Sequence, residues 1–114
     1  LGVTFKPNTD DMREASSVPM IKYFNKKKCK IRYFDPTGEK KEFNNLKNVK
    51  YFNNINNACL NSDLIILHTE WNDFKLLNFK KLVKKKNFKI YDMRNMYSPV
   101  KMKKLNINYF GIGR

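Results

Sequence analysis

Leu64, Ile65, Ile66 and Leu67 form an unbroken aliphatic run between Asp63 and His68. Side chains along a strand alternate between two faces. Four aliphatic residues in succession therefore predict a strand buried on both faces, as in a parallel sheet covered by helices. Parallel strands need long crossover connections, and helices usually supply them. The rest of the chain meets that demand. β-rich runs occur at 1–5, 30–34, 49–52, 88–91 and 108–112, with helical patterns between them. Val18, Ile21 and Phe24 recur at helical spacing behind Ser16 and Ser17, which offer an N-cap, and Pro19 is tolerated in a first turn. Residues 54–61 predict a short helix with Ile55, Ala58 and Cys59 inward. Residues 73–86 predict a longer one, with Leu76, Phe79, Leu82 and Val83 on one face and lysines on the other. Ser98 and Pro99 cap and start a last helix that runs to about Leu105. The expectation is one α/β domain over residues 1–114, a Rossmann-like three-layer sandwich with a mainly parallel sheet of about five to six strands.

A chain of 114 residues that is 41% hydrophobic is long and apolar enough for a core without metals or disulfides. It has no apolar run of about 18 residues, so no membrane span is expected. The start has neither a basic region nor a cleavage signature, so it does not read as a signal peptide. It opens without Met inside an apolar run, which reads as a fragment boundary. The formal charge of +14 raises nucleic-acid binding as a function. However, the lysines are dispersed over 26–28, 40–41, 84–86 and 103–104, mostly near helix ends where cations suit the macrodipole. Asn is used as freely and adds no charge. A compositional bias accounts for both, and no nucleic-acid partner is expected. Cys29 and Cys59 form no CxxC pair and read as core thiols of a reducing, cytoplasmic compartment. His68 is the sole histidine, and no His, Cys and carboxylate cluster has ligand spacing, so no metal site is expected.

Ligands of open parallel sheets bind beyond the carboxyl ends of the strands. Three unusual polar segments fall at that edge: Lys6 to Glu14, Thr69 to Asp73, and Asp92 to Asn95. Lys6, Arg13 and Arg94 would make a cationic rim there, with arginine able to hold phosphate oxygens bidentately. A dinucleotide fold would carry GxGxxG after its first strand. Phe5, Lys6 and Pro7 stand there instead, so a backbone pyrophosphate cradle is not available and side chains must do the holding. Asp35 with Pro36 reads as a turn rather than a ribose-binding acid. Asp10 and Asp11 read as loop-shaping residues, and Arg13 could pair with Asp10, Asp11 or Glu14. Trp71 reads as packing between the sheet and the following helix, and His68 as a satisfied structural histidine.

The run from Leu1 to Ala15 resembles the GLxFKPxTDDxRxA segment of the bacterial UDP-glucose dehydrogenase family. Thr69-Glu70-Trp71-Asn72-Asp73-Phe74 is similar to its TEWxxF segment, Tyr91-Asp92-Met93-Arg94-Asn95 to its D-G-R-N segment, and Tyr109 to Arg114 to its Y-x-G-I-G-R ending. The motifs stand in family order from end to end. Ser16 replaces a usual Pro, and Met93 a usual Gly, which puts the backbone beside Arg94 in question. The resemblance implies a C-terminal nucleotide-sugar-binding domain of an NAD-dependent enzyme that oxidises UDP-glucose to UDP-glucuronate. It implies that Phe5, Lys6 and Arg94 bind substrate and that Arg13 reaches the NAD cofactor. The catalytic cysteine and the NAD fingerprint of the family lie in preceding domains. Cys29 and Cys59 are outside its cysteine motif, so no catalytic residue is expected here. The family generally forms homodimers through a central region absent from this chain. Other readings are a dehydrogenase of another UDP- or GDP-sugar, a basic nucleic-acid-binding module, and a bare interaction scaffold.

Overall fold

A computed structural model describes residues 1–113, so Arg114, the last residue of the closing motif, lies outside it. Among the described residues four α-helices and five strands follow in order: α1 (Ser17–Lys26), β1 (Ile31–Tyr33), β2 (Val49–Tyr51), α2 (Ile55–Cys59), β3 (Leu64–Leu67), α3 (Phe79–Val83), β4 (Lys89–Asp92), α4 (Pro99–Lys104) and β5 (Asn108–Gly111). Single 3-10 turns lie at Lys41–Phe43 and Asn72–Phe74. All strand pairs are parallel. β1 pairs with β2, with Ile31 opposite Val49, and β4 lies between β3 and β5, with Ile90 opposite Ile65 and Tyr109.

The first segment departs from expectation. Residues 1–5 form no regular strand, because Gly2 takes φ +79° and the chain turns from Thr4 onward. Leu1–Val3 nevertheless joins the two half-sheets. The Leu1 amino group donates to Ile66 O at 2.7 Å, His68 N to Leu1 O at 3.0 Å, and Gly2 N to Phe34 O at 2.9 Å. The order across the molecule is then β2, β1, Leu1–Val3, β3, β4, β5. This is a doubly wound order whose direction reverses between Leu1–Val3 and β3. Gly2 is required at this seam, since a Cβ there would meet Thr69 Cβ at 2.9 Å on an already left-handed backbone.

Two cores lie on opposite faces. Val3, Ile21, Tyr33 and Phe43 gather under α1. Cys59, Ile65, Leu67, Phe74, Phe79, Val83, Phe88, Ile90 and Met102 gather between β3–β5 and the helices α2, α3 and α4. The aliphatic run of β3 is therefore buried on one face only. Ile65 and Leu67 are buried, Ile66 is half-buried and Leu64 is 44% exposed. Helix α1 covers the β1 half of its side of the sheet and leaves Leu64, Tyr91 and Phe110 exposed, the last two as a stacked pair.

Other expectations need correction. Residues 73–86 are not one helix. Asn78 caps α3 by accepting from Lys81 N at 3.3 Å, while the Tyr97 hydroxyl donates to Phe74 O and accepts from Leu77 N. These bonds take up the backbone groups that a continuous helix would use. Leu76, expected inward, lies at the break and is 98% exposed. Ser16 precedes α1 but does not cap it; its hydroxyl bonds the His68 ring, and Ser17 Oγ donates to Val3 O. Cys59 is buried as expected, but Cys29 is exposed in the turn after α1. Asn54 and Ser98 cap α2 and α4 through their side chains. No described helix is long and apolar enough to cross a membrane.

Candidate nucleotide-sugar site

The carboxyl ends of Leu1–Val3, β3 and β4 lie side by side, and three loops leave them at one edge. Arg94 ties these loops together. Its Nε donates to His68 O at 2.8 Å, one terminal nitrogen pairs with Glu70 at 3.2 Å, and the other donates to Phe5 O at 3.3 Å. The side chain stays about one-third exposed, so it spans the seam with part of its guanidinium facing solvent.

Buried acids hold these loops. Asp92 accepts from Arg94 N at 3.1 Å through Oδ1, and from Met96 N, Tyr97 N and the Tyr109 hydroxyl through Oδ2. A buried carboxylate with four donors is fully satisfied and fixes the turn that presents Arg94. The left-handed residue of that turn is Asn95, at φ 52°, so Met93 stands where glycine's freedom is not needed. Asp35 also does more than make a turn. It accepts from Thr37 N on one oxygen and from Val3 N at 2.8 Å and Thr4 N at 3.3 Å on the other.

A hydroxyl relay sets the path of Phe5 and Lys6. Trp71 Nε1 donates to Thr4 Oγ1 at 3.2 Å, and Thr4 Oγ1 donates to Lys6 O at 3.0 Å. Thr69 Oγ1 donates to Thr4 O at 2.7 Å and lies 3.0 Å from His68 Nδ1. Since the Thr69 proton is committed to Thr4 O, the network assigns the proton of neutral His68 to Nδ1 and leaves Nε2 to accept from Ser16 Oγ at 2.8 Å. Burial, helped by the Arg94 charge, pushes the imidazole down to about 4. His68 is a structural histidine and Trp71 a packed, hydrogen-bonded indole, as the sequence suggests.

The four sequence-predicted site residues reach this edge in different ways. Phe5 and Lys6 are exposed there, and the carbonyl of Phe5 touches Arg94. Arg13 is 89% exposed and clamps Asp11 through Nε at 3.0 Å and a terminal nitrogen at 2.9 Å. Its hydrogen bonds hold the Asp11 carboxyl down at about 2, with Lys6 adding a smaller charge effect. Arg13 and Lys6 thus flank Asp11, while Arg94 sits across the seam. Sequence reasoning missed Asp35 and Asp92 as loop anchors and Glu70 as the partner of Arg94. A signal was present for the first two, since an acid closing a strand before a turn can accept the turn's free N–H groups.

The chain's residues 1–99 match the UDP binding domain of the UDP-glucose/GDP-mannose dehydrogenase family. It is 34% identical over 116 residues to a UDP-glucose 6-dehydrogenase of Rickettsia felis, covering 99% of this chain and 26% of the relative. It is 31% identical to the Rhizobium meliloti enzyme and 33% identical to a Bacillus subtilis one of the same description, each covering all of this chain and 26% of the relative. The chain thus spans about a quarter of the length of these curated relatives. The seam of three loops tied by one arginine and the match along almost the whole chain agree: this chain belongs to the UDP-glucose/GDP-mannose dehydrogenase family and corresponds to its UDP binding domain.

Proposed function

We propose that this domain binds the nucleotide portion of UDP-glucose for an NAD-dependent UDP-glucose 6-dehydrogenase that forms UDP-glucuronate. The observation that carries the reading is Arg94, which joins the Phe5, Glu70 and Asp92 loops at the switch point of the sheet. Its guanidinium and the Lys6 ammonium would hold the diphosphate, and Phe5 would line the ligand's path. Arg13 would reach NAD held by other domains. These groups position and neutralise charge, and none of them is a nucleophile or proton carrier for hydride transfer. NAD, if bound, supplies the hydride acceptor; the residues of this chain supply only a cation toward it. The parent enzyme is read as a cytoplasmic homodimer.

Calorimetry with UDP and UDP-glucose tests this. Arg94→Lys keeps the charge but loses the fork, so binding should weaken at least tenfold, about 1.4 kcal/mol. Equal affinity of the variant and the parent chain would sink the assignment of Arg94. Tight, salt-sensitive binding of single-stranded RNA with no effect of UDP would favour a nucleic-acid module instead.

A further inference from the structure

Arg94 is held by contacts of unequal strength. Its Nε donates to His68 O at 2.8 Å, a short and well-formed bond. The two terminal nitrogens are held at longer range. One meets both oxygens of Glu70, at 3.3 and 3.2 Å, and the other meets Phe5 O at 3.3 Å. The guanidinium is therefore anchored at Nε and loosely held along the edge that its terminal nitrogens form.

The Arg13–Asp11 pair shows a full clamp at the same sheet edge. There Nε and a terminal nitrogen reach separate carboxylate oxygens at 3.0 and 2.9 Å, two parallel bonds in a fork. Glu70 makes no such fork with Arg94. Both its oxygens crowd one nitrogen, and the neighbouring nitrogen goes to a carbonyl. Asp35 and Asp92 are each fixed by several donors, whereas the Glu70 carboxylate has no partner but Arg94 among the described residues. The pair is also open to water, with 31% of the Arg94 side chain and 34% of the Glu70 side chain exposed. An ion pair so placed is weak, and a carboxylate released from it is hydrated rather than stranded in a dry interior.

We infer that Glu70 is a competing counter-anion, which the diphosphate of a nucleotide ligand displaces from Arg94. The inference rests on the reading of Arg94 as a diphosphate-binding residue. A diphosphate brings oxygens that can bridge both terminal nitrogens, a forked and charge-assisted pair in place of long contacts to one nitrogen. Nε keeps its bond to His68 O, so the guanidinium stays where it is while Glu70 turns out to solvent. The hydroxyls of a nucleoside or a sugar bring no charge to set against the carboxylate and leave it in place. Glu70 thus determines specificity: it takes some affinity from every phosphate-bearing ligand and keeps uncharged ones off Arg94.

Calorimetric titration of the chain and of Glu70→Gln with UDP and with uridine tests this. Gln keeps the size and a hydrogen-bonding oxygen but not the charge. The variant should bind UDP at least about threefold more tightly, the scale of a part-exposed ion pair. It should bind uridine no better than the parent chain does. In an Arg94→Gln background the same change should bring no gain, because no competition is left. A second readout needs no variant: the carboxylate carbon resonance of Glu70 should shift as UDP saturates the parent chain and should not respond to uridine. Equal or weaker UDP binding by Glu70→Gln beside clear binding by the parent chain would overturn the role of Glu70 and leave the ligand reading intact. A Glu70 resonance that ignores bound UDP would do the same, as would an equal gain without Arg94, since the effect would then be one of general charge. If the parent chain binds no UDP, the ligand reading falls and this inference falls with it.

Discussion

Thr69 shows how much of the site rests on one hydroxyl. It donates to Thr4 O and serves the His68 Nδ1 proton, and Thr4 in turn holds Trp71 and the Lys6 carbonyl. Thr69→Val keeps the shape but leaves a buried imidazole donor and a buried carbonyl unpaired. A loss of about 1–3 kcal/mol in urea unfolding is expected, and weaker UDP binding should accompany it as the Phe5–Lys6 path loosens. At this scale the sequence was partly legible. The family resemblance singled out Phe5, Lys6, Arg13 and Arg94, and the three cations also stand out by residue type, because they suit a phosphate-bearing ligand. Asp35, Asp92 and Glu70 were not legible as partners, because an acid's role depends on which distant donors the fold brings to it.

The helices illustrate what periodicity can and cannot read. The spacing of Phe79, Leu82 and Val83 is helical, and they do form α3. Leu76 shares the spacing but lies outside the helix, because Asn78 and Tyr97 capture the backbone on either side of Leu77. Leu76→Ser should accordingly change stability by less than about 0.5 kcal/mol, whereas Phe79→Ala, from a fully buried ring beside Tyr97, should cost about 3–5 kcal/mol. Thermal unfolding of the pair distinguishes the broken helix from a continuous one, in which both would cost. The abundance of Asn also has a local meaning. Asn8, Asn61, Asn87, Asn95 and Asn106 all adopt positive φ, taking turn positions that glycine often fills. That is why Met93 could replace a glycine without moving the strain to itself.

For the whole molecule, one base is held below its ordinary value. His68 falls from 6.5 to about 4, chiefly by burial. The folded state favours its neutral form, so the unfolded chain takes up more protons as pH falls. Stability should be complete above about pH 6.5 and should decline through pH 6.5–4, by on the order of 1–3 kcal/mol. Denaturant midpoints measured from pH 8 to 4 check this. The proposed division of labour makes a further prediction: this chain should not turn over UDP-glucose with NAD. Measurable NADH formation would contradict the assignment of its residues to positioning only. The exposed Cys29 and buried Cys59 give that assay its control, since Cys29→Ser should leave the result unchanged.

The sequence by itself determined the class of fold, the position of nearly every strand, and the sheet edge at which the polar, cation-bearing loops gather. Those follow from local rules: the alternation of side chains, the spacing of helices, and the polarity of loops. Only the tertiary structure decided that the sheet is open on one face beside β3, that Leu1–Val3 joins its two halves, and that Arg94 ties together the loops at their shared edge. Such features depend on which helix covers which strand and which distant carbonyl meets a donor. Neither is encoded in the period of a segment; both come from the way the crossovers pack.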